Sequence, residues 1–242
     1  YYGDVTGDDM QAVSSTKRVA NYYRFNFTKD DNPSSHWSYL YSIIQNCNLI
    51  LMNIDKLVID EDDKAYRDDL KGEALAIRGL ALFDLTRIFG YPYLKDDGAS
   101  LGVPIIEGLS TIDSKPTRNT VAQCYTKIID DLTQSLSLLG EKFNKGKINK
   151  WGAMVLLSRV YLYKGENANA LKMASDAIIG AEKNKYALWT NEDYPTAWGE
   201  DASASKPGEV LFEIVNLTTD SPGKESMGYL NSYDGYDDMC IT

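Results

Sequence analysis

An Ala- and Leu-rich segment without proline runs from about residue 62 to residue 89. Acidic residues at positions 60–63 precede it and complement the positive end of a helix dipole. Gly90 and Pro92 follow it, where a helix is commonly terminated. The segment therefore predicts one long helix.

Four further segments repeat apolar residues at the three-and-four spacing of a buried helix face. They cover residues 35–56, 121–139, 150–164 and 168–180. Thr120 followed by Gln123 forms a capping-box pattern, Asn149 is a suitable N-cap, and Gly165 separates the last two segments. The sequence thus predicts five helices and a mainly α fold.

The last two predicted helices together span about 34 residues, the length of a tetratricopeptide repeat. They carry small residues where paired helices approach closely, namely Ser158, Ala170, Ala174 and Ala177. The same logic suits the first two helices, whereas the third has no obvious partner of its own. We therefore expect stacked tetratricopeptide-like helix pairs at about 35–89 and 120–180, joined by a long loop rich in glycine and proline.

The residue composition of 184–242 differs from that of the helical segments, and we predict a loop and strand region there. Residues 209–215 alternate enough to predict a short strand, and residues 216–242 read as loop. The rings of Tyr186, Trp189 and Trp198 are expected to pack beneath the helices.

Composition and motifs exclude several functions. A net charge of -10 disfavours nucleic acid as a partner. The single histidine, His36, stands at a predicted helix start, and the three cysteines lack metal-ligand spacing. The chain contains no phosphate-loop, dinucleotide, GxSxG or HExxH motif. A glycosidase needs two carboxylates that face each other across the substrate, and carboxylates adjacent in the sequence do not supply this geometry. We therefore expect no enzyme activity, metal or cofactor.

Most of the 17 tyrosines lie outside the five predicted helices. Aromatic rings can stack on sugars while hydroxyl, amide and carboxylate groups bond the sugar hydroxyls. Two clusters have this composition and form the candidate ligand site: Tyr22, Tyr23, Arg24 and Tyr229, Asn231, Tyr233, Asp234, Tyr236. Each cluster could equally be a surface loop packed on the helices.

Several motifs follow one another in a fixed order along the chain. The segment 72–92 begins with Gly-Glu-Ala and ends with Arg-x-Phe-Gly-x-Pro. The other motifs are Trp37-x-x-x-Tyr41-x-x-Ile44-x-x-x-Asn48, Gly102-Val-Pro104, Arg118-x-Thr-Val121, Tyr125-x-x-Ile128-x-x-Asp-Leu132, the segment 153–162 and the expected strand at 209–215. Their order resembles the SusD/RagB family of nutrient-binding proteins, in which the segment 72–92 corresponds to the second helix.

The resemblance implies a non-catalytic outer-membrane lipoprotein of Bacteroidota, lipid-anchored on the extracellular face. Such a protein binds a glycan or other nutrient and delivers it to a TonB-dependent SusC-type transporter. The family's lipidated cysteine and C-terminal half are absent, so we expect residues 1–242 to be a single SusD-like helical domain within a longer protein. A tetratricopeptide-type protein-interaction scaffold without a sugar site is the alternative.

Overall fold

The computed structural model describes residues 5–26, 28, 34–111, 113–197, 208–215, 219, 221 and 223–241. The chain divides into two compact units. Residues 1–36 and 215–242 form the terminal unit, and residues 37–214 form the helical unit. The expectation that residues 1–242 act as a single domain stays a prediction.

Helices dominate the described residues, so the predicted mainly α fold is confirmed. The helices are α1 Ala20–Tyr23, α2 Ser34–Asn53, α3 Lys64–Phe89, α4 Val121–Leu138, α5 Lys150–Lys164, α6 Asn167–Lys183, α7 Tyr194–Ala197 and α8 Met227–Asn231. The strands are β1 Met10–Ala12 and β2 Met239–Ile241. Helices α2 to α6 match the five predicted helices. Within the described ranges, no helix has the length and apolar character that crossing a membrane requires.

Local sequence signals account for several of the helix ends. Thr120 Oγ1 accepts from the Gln123 amide at 3.2 Å, and Gln123 Oε1 accepts from the Thr120 amide at 2.9 Å, which completes the predicted capping box. Asn149 Oδ1 caps α5 through the Gly152 amide at 3.1 Å. Gly165 ends α5 in the left-handed region, with φ 83°. Gly90 instead ends α3 in an extended conformation, with φ -102°.

Helix α3 packs most closely against α4, and α5 packs against α6. The prediction that the third helix lacks a partner is therefore wrong. The reason is two glycines on α3, whose missing Cβ atoms let Leu132 of α4 and Leu139, the residue that follows α4, approach. A Cβ at Gly79 would lie 3.1 Å from Leu132 Cγ, and a Cβ at Gly72 would lie 2.9 Å from Leu139 Cγ.

A buried ion pair joins α3 and α4 inside the helical unit. Arg78 donates from Nε and Nη2 to the two carboxylate oxygens of Asp131, at 2.7 Å each. The acidic side chains Glu73 and Asp84 of the same helix have other partners. Glu73 lies 3.3 Å from Lys147, whereas Asp84 pairs with Arg87. Helical neighbours alone could not reveal Asp131, because it belongs to a different helix.

The same network fastens the long loop between α3 and α4. Arg78 Nη1 donates to Asn48 Oδ1 at 2.8 Å, and Asn48 Nδ2 donates to the carbonyls of Ile106 and Gly108 at 2.8 and 3.0 Å. Lys127 bridges Asp131 and Glu107 at 3.2 and 2.6 Å. Buried polar groups need such partners, so one cluster orders both the helix interface and the loop.

Two predictions about residues 184–242 are wrong. Residues 208–215 contain no strand, although Leu211 and Phe212 pack on the helical core. Neighbouring inward side chains break the alternation that a strand requires. Residues 216–242, expected to be loop, contain α8 and β2. Tyr186 is buried as expected, Trp189 is partly buried, and Trp198 lies outside the described residues.

Candidate functional site

Both predicted ligand clusters, residues 22–24 and 229–236, belong to the terminal unit. Strands β1 and β2 pair antiparallel, with Gln11 opposite Cys240. Val5, Val19 and Met239 form a small buried core, each no more than 1% exposed. Residues separated by more than 220 positions therefore depend on each other for their placement.

The second cluster is shaped by α8 and the turn that follows it. Ser226 caps α8, because its Oγ accepts from the Tyr229 amide at 3.3 Å. The chain then folds back, and the Tyr236 amide donates to the Tyr229 carbonyl at 3.0 Å. The rings of these two tyrosines meet edge to face, with centroids 5.1 Å apart and an interplanar angle of 85°.

Gly235 makes this return possible. A Cβ at this position would lie 1.9 Å from the Tyr229 carbonyl oxygen. Such an approach is far below van der Waals contact, so only glycine fits without movement of the backbone. The next residue but one, Asp237, adopts φ 48°, a left-handed conformation that aspartate tolerates better than most residues.

Arg18 is a central residue of this site that sequence reasoning missed. Its Nη2 and Nε donate to Asp238 Oδ2 at 2.6 and 3.0 Å. Its guanidinium carbon lies 4.0 Å from the centroid of the Tyr236 ring, a cation–π contact. The Asp238 side chain is only 4% exposed, whereas that of Arg18 is 44% exposed. No local pattern could have linked residues 18 and 236, because their proximity depends on the β1–β2 pairing.

The predicted residues of the second cluster differ in exposure. Tyr229 and Tyr236 form the ring pair, and Tyr233 is the most open ring, 89% exposed. Asp234 is exposed, while Asn231 is half-buried and its Oδ1 is buried without a hydrogen-bond partner. The cluster therefore offers one open ring, one edge-to-face ring pair and two polar side chains.

The first cluster is a helical turn, α1, rather than a loop. Tyr22 packs against the small core of the terminal unit, so part of its ring serves structure. Tyr23 is 40% exposed, and Arg24 is exposed while its amide donates to the Ala20 carbonyl. The ligand contacts of both clusters stay a prediction.

The groups of this arrangement can stack on a ligand and form hydrogen bonds with it. Arg18 already occupies both described hydrogen bonds of the Asp238 carboxylate, and Asp234 is solvated. In the part of the chain that the structure describes, no three or more His, Cys, Asp or Glu side chains group in a way that could hold a metal ion. The site presents aromatic rings, the Arg18 guanidinium, the Asn231 amide and the Asp234 carboxylate.

Comparisons with known proteins agree with the fold. A SusD-like family model, described as "Starch-binding associating with outer membrane", matches residues 1–162. A SusD-like protein of Bacteroides ovatus is 28% identical over 135 residues, which are 55% of this chain and 23% of that protein.

Solved structures cover the whole chain. A putative sugar binding protein from Bacteroides vulgatus is 81% identical with a TM-score of 0.95, and the match covers 100% of this chain and 54% of that one. A SusD superfamily protein from the same species is 40% identical with a TM-score of 0.90 and the same coverage. The chain thus spans about half the length of these solved relatives. Because the family model matches residues 1–162 of 242, the chain belongs to the SusD-like family.

Proposed function

We propose that the protein is a non-catalytic receptor that binds a glycan at the outer membrane and passes it to a TonB-dependent SusC-type transporter. Membership of the SusD-like family is the observation that carries the proposal. The 81% identity to a protein described as a putative sugar binding protein supports it further. A lipid anchor and an extracellular orientation belong to the same proposal and rest on the family resemblance.

The aromatic site of the terminal unit supplies a binding mechanism. The open ring of Tyr233 can stack on the apolar face of a sugar ring. Arg18 and the Tyr229 ring restrict the position of Tyr236, so little conformational entropy is lost when a ligand binds. The exposed Asp234 carboxylate can accept from sugar hydroxyls beside these rings, and Asn231 can donate to them through Nδ2, because its Oδ1 is buried. Affinity then comes from stacking and a few hydrogen bonds, and no bond of the ligand is broken.

Isothermal calorimetry of the protein against a panel of host and plant polysaccharides tests the glycan proposal. Tyr233→Ala should weaken binding on the order of tenfold, which corresponds to about 1.4 kcal/mol. Tyr236→Phe should retain binding if the ring is the contact, whereas Tyr236→Ala should not. Tyr39→Ala, a change at a tyrosine of α2 that is 72% exposed, is the matched control and should have no effect.

Two results would reject parts of the proposal. If the wild-type protein binds no polysaccharide of the panel, a receptor for a non-glycan nutrient or a tetratricopeptide-type interaction scaffold would be favoured. Wild-type binding with full affinity in the Tyr233 and Tyr236 variants would move the site elsewhere. Delivery is tested separately by purifying the tagged protein from outer membranes and asking whether a TonB-dependent transporter co-purifies in stoichiometric amount.

A further inference from the structure

A groove of about 500 Å³ lies in the helical unit, between α2 and the long loop that follows α3. One wall is the α2 segment 37–46, and the other is formed by the loop residues Pro104, Ile106, Ser110, Thr111, Ser114 and Pro116. The volume falls within the range of small-molecule sites, about 300–1,000 Å³. None of the predicted ligand residues lines this groove.

The lining of the groove is uncharged and rich in hydrogen-bonding groups. A quarter of the chain is charged, yet the described lining residues include no Asp, Glu, Lys, Arg or His. Serine hydroxyls occur on both walls, the loop adds the hydroxyl of Thr111, and α2 adds the amides of Gln45 and Asn46. Hydroxyls and amides both donate and accept, so they match a ligand whose polar groups are hydroxyls.

Aromatic rings supply the apolar part of the lining. The Trp37 and Tyr41 centroids are 5.0 Å apart, and Trp37 also meets Phe89 edge to face at 5.0 Å. Trp37 is only partly buried, so some of its surface remains available. Rings held by such neighbours are pre-positioned for stacking, and their order costs nothing further on binding.

Hydrogen bonds hold the two walls at a fixed separation. Tyr41 Oη donates to the Pro104 carbonyl at 2.7 Å. Gln45 Nε2 donates to Ser110 Oγ at 3.0 Å, and Gln45 Oε1 accepts from the Ser110 amide at 3.1 Å. Burial raises the pKa of Tyr41 above its ordinary value, so its hydroxyl stays protonated as a donor. The groove is thus formed before any ligand arrives.

We propose that this groove is a second carbohydrate subsite that binds a segment of a neutral glycan. This proposal rests on the proposed function and adds the charge class of the ligand. A uronic acid or sulfated sugar would lose hydration in the groove without meeting a cation, which is unfavourable. A neutral sugar chain exchanges hydroxyl–water bonds for hydroxyl–protein bonds and stacks on the ring surface.

The indole signal of Trp37 reports on this groove directly. The Trp37 Nε1–H signal is assigned in 15N-edited NMR by its loss in Trp37→Phe. It is then followed while one of five compounds is added: maltohexaose, laminarihexaose, a xyloglucan heptasaccharide, hexagalacturonate or decaproline. We expect a saturable shift with at least one neutral oligosaccharide and none with hexagalacturonate. Ser42→Tyr, which fills the groove from the exposed face of α2, should abolish the shift. Thr133→Tyr, at an exposed position of α4, should retain it.

The outcomes separate this proposal from the function on which it rests. If the oligosaccharides bind calorimetrically but leave the Trp37 signal unchanged, the second subsite is rejected and glycan binding stands. A shift with hexagalacturonate or decaproline equal to that with neutral sugars rejects the assignment of a neutral glycan. Absence of binding to every sugar rejects both proposals. A Trp37 shift that survives Tyr233→Ala and is lost in Ser42→Tyr supports two separate subsites.

Discussion

Replacing Asp131 with asparagine tests whether the ion pair in the helical unit stabilises the fold. The Arg78 side chain is 10% exposed and that of Asp131 is fully buried. Asp131→Asn keeps the shape of the side chain but leaves the Arg78 charge buried without a counterion. Removing one partner of a buried pair costs about 3–5 kcal/mol. At 2–4 °C per kcal/mol for a chain of this size, the melting temperature should fall by roughly 6–20 °C.

Urea denaturation followed by circular dichroism measures this loss. Asp130→Asn is the matched control, because it removes the same charge one residue away at an exposed position and should cost less than about 0.5 kcal/mol. Equal losses in the two variants would refute the reasoning. The double variant Arg78→Met, Asp131→Leu removes both charges and should be more stable than Asp131→Asn alone.

Three further predictions follow from single positions. Gly235→Ala should destabilise the terminal unit by about 1–3 kcal/mol, because its Cβ would clash with the Tyr229 carbonyl. Gly228→Ala, whose Cβ meets open space in α8, is the control and should be neutral or stabilising. Equal melting temperatures of the two variants would contradict this prediction. Ellman's reagent should modify the exposed Cys240 rapidly in the native protein, because burial protects the two helix thiols and raises their pKa; a second fast thiol would argue against this packing. Burial also raises the pKa of Glu73, so this residue contributes most to stability in acid, and the contribution falls as pH rises through the folded-state pKa. The melting temperature of Glu73→Gln should therefore rise relative to that of the wild type between about pH 4 and about pH 7. A pH-independent difference between the two melting temperatures would contradict the assignment.

Helix positions could be predicted from the sequence because their signals are local. The apolar spacing of α4, the Thr120 capping box and the left-handed Gly165 each act within a few residues, and all three were read correctly. The predicted strand at 209–215 is wrong because an alternating pattern cannot show whether a partner strand exists. The segment instead places Leu211 and Phe212 on helices.

The candidate site was predicted only in part. Ring-rich segments made Tyr229, Tyr233 and Tyr236 candidates, since composition alone shows where aromatic residues concentrate, and their ligand contacts stay a prediction. Arg18 and its partner Asp238 were missed, because ion pairs across 220 positions leave no periodic signal. The groove beside Trp37 was likewise hidden, although Trp37 had been noted as part of a helix pattern.

The sequence by itself determined the five long helices, the ends marked by Thr120, Asn149 and Gly165, the absence of familiar catalytic motifs and the family resemblance. These properties depend on short-range periodicity, capping chemistry and motif order. Only the tertiary structure decided that α3 pairs with α4, that Asp131 neutralises Arg78, and that β1 meets β2 to place Arg18 over Tyr236. Those contacts minimise exposed apolar surface and unpaired charge over the whole chain, so no single segment encodes them.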